Sequence, residues 1–125
     1  MDSEQSVIDR IQRAIPSRPR RTALSSSRLR LGIGDDAALI STSPGIDAVV
    51  TSDAFLENIH FLPDVHSPDS VGYKSLARAT SDIAAMGAVP RFFLLTLALP
   101  ARRTGNWLDG FLAGMSRAAR EYHLL

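Results

Sequence analysis

Proline and glycine cut this chain into short elements, and the hydrophobic period changes at the cuts. Val7, Ile8, Ile11, Ala14 and Ile15 recur at helical spacing, which predicts a helix over residues 4–15 that Pro16 and Pro19 stop. Residues 17–30 are rich in Ser and Arg and read as loop. Leu31-Gly32-Ile33-Gly34-Asp35-Asp36 is a glycine-punctuated turn feeding a strand, Ala37–Ser41, and Ser43-Pro44-Gly45 is a second turn. Ala48–Ser52 is apolar and β-branched, hence a strand that ends near Asp53. Residues 54–68 form a long connection containing Pro63 and Pro68, and connections of this kind are often functional. Asp69 or Ser70 can cap a helix running to about Met86, with Gly87 as its stop and Pro90 beyond. The run Phe92–Leu99 reads as a buried strand. A last helix, from about Thr104 to Tyr122, gathers Trp107, Leu108, Phe111, Leu112, Met115, Ala118 and Ala119 on one face. No internal repeat is expected. Strand patterns alternating with helical ones predict an α/β (α+β) fold, a small mixed β-sheet with helices on one face.

The amount of apolar material agrees with that size of fold. The chain has 125 residues, 45% of them hydrophobic, which suits one compact domain with a real core. Its formal net charge of +1 supplies no whole-chain field for nucleic acid or membrane. Without cysteine there is neither disulfide stapling nor a thiolate metal site. The polar start lacks the apolar core of a secretory signal, and the longest apolar run is far short of the roughly 20 residues a spanning helix needs. The expectation is a cytoplasmic protein. Charge is unevenly placed, however. Arg10, Arg13, Arg18, Arg20, Arg21, Arg28 and Arg30 crowd the N-terminal arm, either as a solvated segment or as an arm that holds phosphates. From Asp35 to Asp82 the acidic residues are opposed only by Lys74 and Arg78.

Three of those acidic sites stand at the ends of elements. Asp35 and Asp36 follow Gly-Ile-Gly, where the backbone can turn tightly and approach a ligand. Asp53 closes an apolar strand after Thr51 and Ser52. Asp82 lies among small apolar residues near a helix C-terminus, where a carboxylate meets the negative end of the dipole. Singly, each can be a turn former, a strand end or a solvated charge. Together, their convergence requires cations, and magnesium suits oxygen ligands shared between carboxylates, hydroxyls and phosphates. His60 reads by itself as a structural loop histidine, and with His66 in a separate Pro-flanked stretch and no cysteine a zinc site is not expected. With no Walker-type glycine-rich Gly-Lys-Ser/Thr motif, phosphate handling would rest on metals, isolated basic groups and backbone amides.

Several segments together resemble a known family. They are Gly32-Ile33-Gly34-Asp35-Asp36-Ala37-Ala38, Thr51-Ser52-Asp53, Glu57-Asn58-Ile59-His60-Phe61, Tyr73-Lys74-Ser75-Leu76-Ala77, Ser81-Asp82-Ile83-Ala84-Ala85-Met86-Gly87-Ala88 and Leu97-Ala98-Leu99-Pro100. In this order they look like the N-terminal domain of thiamine-monophosphate kinases, within the aminoimidazole-ribonucleotide-synthetase-like ATP-binding superfamily. The resemblance covers Ile8 to Leu125; the Gly-Asp-Asp and Ser-Asp motifs identify the superfamily, and the His60-Phe61 segment with Ser-Asp-Ile-Ala-Ala-Met-Gly-Ala identifies the kinase. It implies that Asp36, Thr51, Ser52, Asp53 and Asp82, with Asp35 the less certain of its pair, bind several magnesium ions. It further implies that His60 contacts the thiamine phosphate, that Tyr122 lies at the nucleotide, and that ATP is the phosphoryl donor. Two such domains would pair through their sheets as a homodimer. Residues 1–125 would then be an N-terminal ATP- and magnesium-binding domain. The family's Gly-Gly-Asp motif and second α/β domain are expected beyond Leu125.

The reaction so implied is direct in-line transfer of the ATP γ-phosphoryl to thiamine monophosphate, giving thiamine diphosphate. Two other superfamily chemistries remain as alternatives, a cyclo-ligase and a hydrogenase-maturation protein. A non-catalytic dimerisation module is a third. A basic-arm nucleic-acid binder, marked by salt-sensitive binding, is more distant.

Overall fold

The computed structural model describes Asp9, residues 29–31 and residues 37–125. Of the helix expected over 4–15 only Asp9 is described, and it is helical; Asp35 and Asp36 lie outside the described residues. The chain divides into two compact units, Met1–Thr51 and Ser52–Leu125.

The first unit is built on a three-stranded sheet in the order β1 (Leu29–Leu31), β2 (Ala38–Ser43), β3 (Ile46–Val50). Both pairings are antiparallel, so the described sheet is not the expected mixed one. Sequential strands joined by short turns can only pair antiparallel, because a parallel partner needs a long crossover. The hairpin turn is Pro44-Gly45, and Gly45 takes φ +78°. Proline presets the first turn position and glycine accepts the positive φ at the second, the combination a type II turn requires. The register slips at Thr42, whose hydroxyl donates to the Ile46 carbonyl at 3.2 Å. β1 falls in a stretch that composition alone assigns to loop, since three residues carry too little periodicity.

The second unit is two packed helices and the connections that clothe them. Helix α1 (Pro68–Ala85) starts two or three residues earlier than expected, with Ser67 as its N-cap residue and proline at the first helical position. The Ser67 hydroxyl donates to Asp69 Oδ1 at 2.7 Å rather than capping a backbone amide. The C-terminus is the stop the sequence predicts. Gly87 takes φ +64°, its amide reaches the Ala84 carbonyl, and the Ala88 amide reaches Ile83. That pair of bonds is a Schellman closure, for which glycine is the residue of least strain. Helix α2 (Asn106–Glu121) follows a short 3₁₀ turn (Ala101–Arg103) and closes the same way, with His123 in the left-handed position at φ +55°.

α1 and α2 approach backbone to backbone. A Cβ on Gly72 would overlap the Phe111 carbonyl oxygen, and one on Gly114 would overlap that of Asp69. Around this crossing sit Phe61, Val71, Leu76, Phe111, Met115 and Ala118, the buried cluster of the unit. The apolar stripe predicted for α2 is therefore its buried face, apart from the exposed Leu112.

Phe92–Leu99 departs most from expectation. It belongs to no ladder, and Phe92, Leu94, Leu95 and Leu97 are exposed, Leu94 by 93%. Among the described residues its pairing is confined to its start, where the Leu125 amide donates to the Arg91 carbonyl and the Phe93 amide to the Leu125 carbonyl, both at 3.1 Å. A continuous apolar run states that a segment is fit for burial in a sheet; it does not supply the neighbouring strands.

Candidate functional site

The connection after Asp53 is a built structure. Leu56 accepts the amides of Ile59 and His60 on its carbonyl, at 3.3 and 2.9 Å, and its own amide donates to His60 Nδ1 at 2.9 Å. Leu62 accepts the amides of Val65 and His66 in the same way, and its amide lies 3.1 Å from His66 Nδ1. In both Leu56–Phe61 and Leu62–Ser67 a leucine is closed by the histidine four residues on. Asn58, at φ +64°, makes the first turn possible and donates its amide to Phe61 at 2.8 Å; asparagine tolerates that conformation better than most residues.

The His60 bond also settles which ring nitrogen carries the proton. An amide can only donate, so Nδ1 is an acceptor, and a neutral His60 carries its hydrogen on Nε2. That leaves Nε2–H as a donor. The ring is held from the side by a column of aromatic rings. His60 stacks on Phe55, Phe55 on Phe61, Phe61 on Trp107 and Trp107 on Phe111, with centroids 5.5–6.1 Å apart. Through that column the loop is anchored to α2.

Charge fastens the same loop. Glu57 accepts from Arg102 Nη2 at 3.3 Å and from Arg103 Nε and Nη2 at 3.4 and 3.3 Å. Arg103 also lies over the Trp107 ring, 5.4 Å from its centroid. The hydrogen bond from Arg103 holds the Glu57 carboxyl below its ordinary value against the opposing effect of desolvation, with the charges of Arg103 and Arg102 and the Arg102 hydrogen bond adding to the lowering. From sequence, Arg102 and Arg103 carry no signal as site residues, Glu57 enters only within the motif that ends at His60-Phe61, and Trp107 only as part of the α2 stripe. Arginine and glutamate 45 and 46 residues apart carry no pattern that pairs them.

On the acidic side, Asp53 Oδ2 accepts from Arg78 Nε at 2.6 Å. Arg78 stands one helical turn before Asp82 on α1, so the two share a face, and Asp53 is brought to that face. Asp53 and Ser52 are exposed, while Thr51 and Asp82 are half-buried. Among the described residues no three His, Cys, Asp or Glu side chains converge as a metal site. Tyr122 is half-buried at the end of α2, and its hydroxyl lies 3.0 Å from that of Tyr73. That bond, with Glu121 beside it, pushes the Tyr73 hydroxyl far up from its usual value. Also among the described residues, no helix is long and apolar enough to cross a membrane.

Residues 34–124 match the family described as AIR synthase related protein, N-terminal domain. The chain belongs to that family, and the small sheet and helix pair are consistent with such an α/β domain. More particularly, it is similar to curated proteins named thiamine-monophosphate kinase. The relative from Bacillus subtilis (strain 168) is 42% identical over 98 residues, 78% of this chain and 30% of the relative. That from Haemophilus influenzae is 38% identical over 101 residues, 81% of this chain and 30% of the relative. That from Escherichia coli (strain K12) is 43% identical over 88 residues, 69% of this chain and 26% of the relative. The chain thus spans less than a third of the length of these relatives. No solved structure gives a significant match.

Proposed function

We propose that the chain is the N-terminal, metal- and phosphate-handling part of a thiamine-phosphate kinase, which transfers a phosphoryl group from ATP to thiamine monophosphate. The observation that carries this reading is the identity of 38–43% to kinases of that name over most of the chain. The His60 loop adds a chemical reason. A neutral imidazole whose Nδ1 is engaged by Leu56 offers Nε2–H to an anionic phosphate oxygen, and the ring column limits the entropy lost in doing so.

The residues present suit magnesium better than a softer metal. Asp53, Asp82, Thr51 and Ser52 offer hard oxygen donors, and Asp53 already holds a cationic group at 2.6 Å. These four, with Asp36 or Asp35, would hold the metal, whose positive charge offsets the repulsion between two phosphates brought together. The chain's own residues would orient the reactants. A terminal oxygen of thiamine monophosphate attacks the γ-phosphorus of ATP in line, the bond to the β-phosphate oxygen breaks, and ADP leaves with that electron pair. No covalent enzyme intermediate is needed. Tyr122 would lie at the nucleotide, a second copy would pair through the sheet, and the enzyme would work in the cytoplasm.

The test is steady-state kinetics of thiamine diphosphate formation by the polypeptide that carries these residues, with each substrate varied in turn. His60→Ala should raise KM for thiamine monophosphate by about ten- to a hundred-fold, the worth of one hydrogen bond to a charged group, and change that for ATP far less. An equal rise for both would make His60 a purely structural staple, and no ATP- and magnesium-dependent turnover would refute the kinase reading.

A further inference from the structure

Among the described residues, Arg78 is the basic side chain that the structure sets against Asp53, and its geometry is that of a replaceable partner. The contact uses the single Nε and one carboxylate oxygen, at 2.6 Å, rather than the two-pronged grip that makes arginine–carboxylate pairs strong. The Arg78 side chain remains 45% exposed and that of Asp53 20%. Water therefore screens the pair, and its rupture exposes no buried charge. Arg78 is also one turn from Asp82 on the same helix face. A cation arriving at Asp53 meets the guanidinium first.

We infer that Arg78 is a positioning residue that stands in for the cation at Asp53: it neutralises that carboxylate when no metal is bound and competes with a divalent cation for Oδ2. The inference rests on the reading of Asp53 as a metal-holding residue. Competition of this kind makes cation binding weaker than the carboxylates alone would allow. Once displaced, the guanidinium stays tethered to the face that carries Asp82, with its planar donors free for an anionic group such as phosphate.

The experiment uses Mn²⁺ as probe, with free Mn²⁺ followed by electron paramagnetic resonance as it is titrated into wild type, Arg78→Gln, Arg78→Lys and Asp53→Asn. Arg78→Gln should bind Mn²⁺ about three- to ten-fold more tightly than wild type, the range expected for removing a partly exposed ion-pair competitor. Arg78→Lys keeps the charge and should stay near wild type, and Asp53→Asn should bind more weakly than all three. Unchanged or weaker binding in Arg78→Gln, with Asp53→Asn still weakened, overturns the role given to Arg78 and leaves the metal reading standing. Asp53→Asn binding like wild type overturns the metal reading itself. A second measurement needs no variant: the Arg78 Nε–H resonance should move progressively as magnesium is added to wild type, and a resonance that stays fixed while the metal binds overturns the displacement.

Discussion

The connection 54–67 and the run Phe92–Leu99 invert what their compositions suggest. The connection holds a proline, acidic residues and no regular element beyond one isolated bridge, yet local hydrogen bonds and stacked rings hold it. The run is the most strand-like stretch in the chain, yet it joins no ladder and leaves most of its apolar side chains exposed. The difference lies in where each finds its partners. Leu56 and Leu62 find theirs four residues away, so those turns close with little loss of chain entropy. A strand depends on other strands, which lie far along the chain and must be brought to it. Local order can thus be firmer in an irregular loop than in a segment of strong strand propensity.

The sharpest way to break this comparison is to remove one aromatic residue from each region. Phe61 is 7% exposed and Phe92 73%. Phe61→Ala should cost about 3–5 kcal/mol, the usual loss for a buried phenylalanine, by taking the middle ring from the column. Phe92→Ala should stay within about 0.5 kcal/mol. Urea unfolding followed by Trp107 fluorescence measures both, and similar losses would mean that the run is packed after all.

A smaller effect is expected from acid. The carboxyl of Glu57 is held below its ordinary value by Arg103 and Arg102, so the folded state binds its proton less readily than the unfolded state. A depressed folded value stabilises the fold above the unfolded value and loses that stabilisation as pH falls through the folded one. The window therefore lies below about pH 4.5, the ordinary value for this carboxyl. Melting temperatures taken from pH 6 downward should fall more steeply there in wild type than in Glu57→Gln, and parallel curves would remove Glu57 from the loop's anchorage.

The smallest effect on stability belongs to Leu94, which is 93% exposed. Leu94→Lys should change unfolding free energy by less than about 0.5 kcal/mol while reducing concentration-dependent self-association in sedimentation, because charge blunts an apolar edge. A marked loss of stability would show instead that this side chain is covered.

Legibility followed the range of the interactions. Gly87 was readable as a helix stop and Pro44-Gly45 as a turn, because both act through backbone angles at their own positions. The α2 stripe was readable because its period is a property of one helix. The start of α1 was misplaced because Ser67, Asp69 and Ser70 are all plausible caps and hydrogen-bond to one another. The leucine–histidine turns were present in the residue order but have no hydrophobic period by which to notice them. In the candidate site, Asp53, Asp82 and His60 stand out by position and Arg78 as a lone opposing charge, whereas the Glu57–Arg103 pair does not, its role being set by what the two residues touch.

By itself the sequence determined the stop of α1 at Gly87, the Pro44-Gly45 turn, the buried face of α2 and the positions of Asp53 and Asp82 near element ends. Those features depend on steric limits and periodicity over a few residues. Only the tertiary structure decided that Arg78, 25 residues away, meets Asp53, that Trp107 joins the His60 loop to α2, and that Phe92–Leu99 is left without a ladder. The reason is that such contacts depend on how elements pack. The close approach of α1 and α2 at Gly72 and Gly114 belongs to that packing, in which neither helix alone specifies its partner's position.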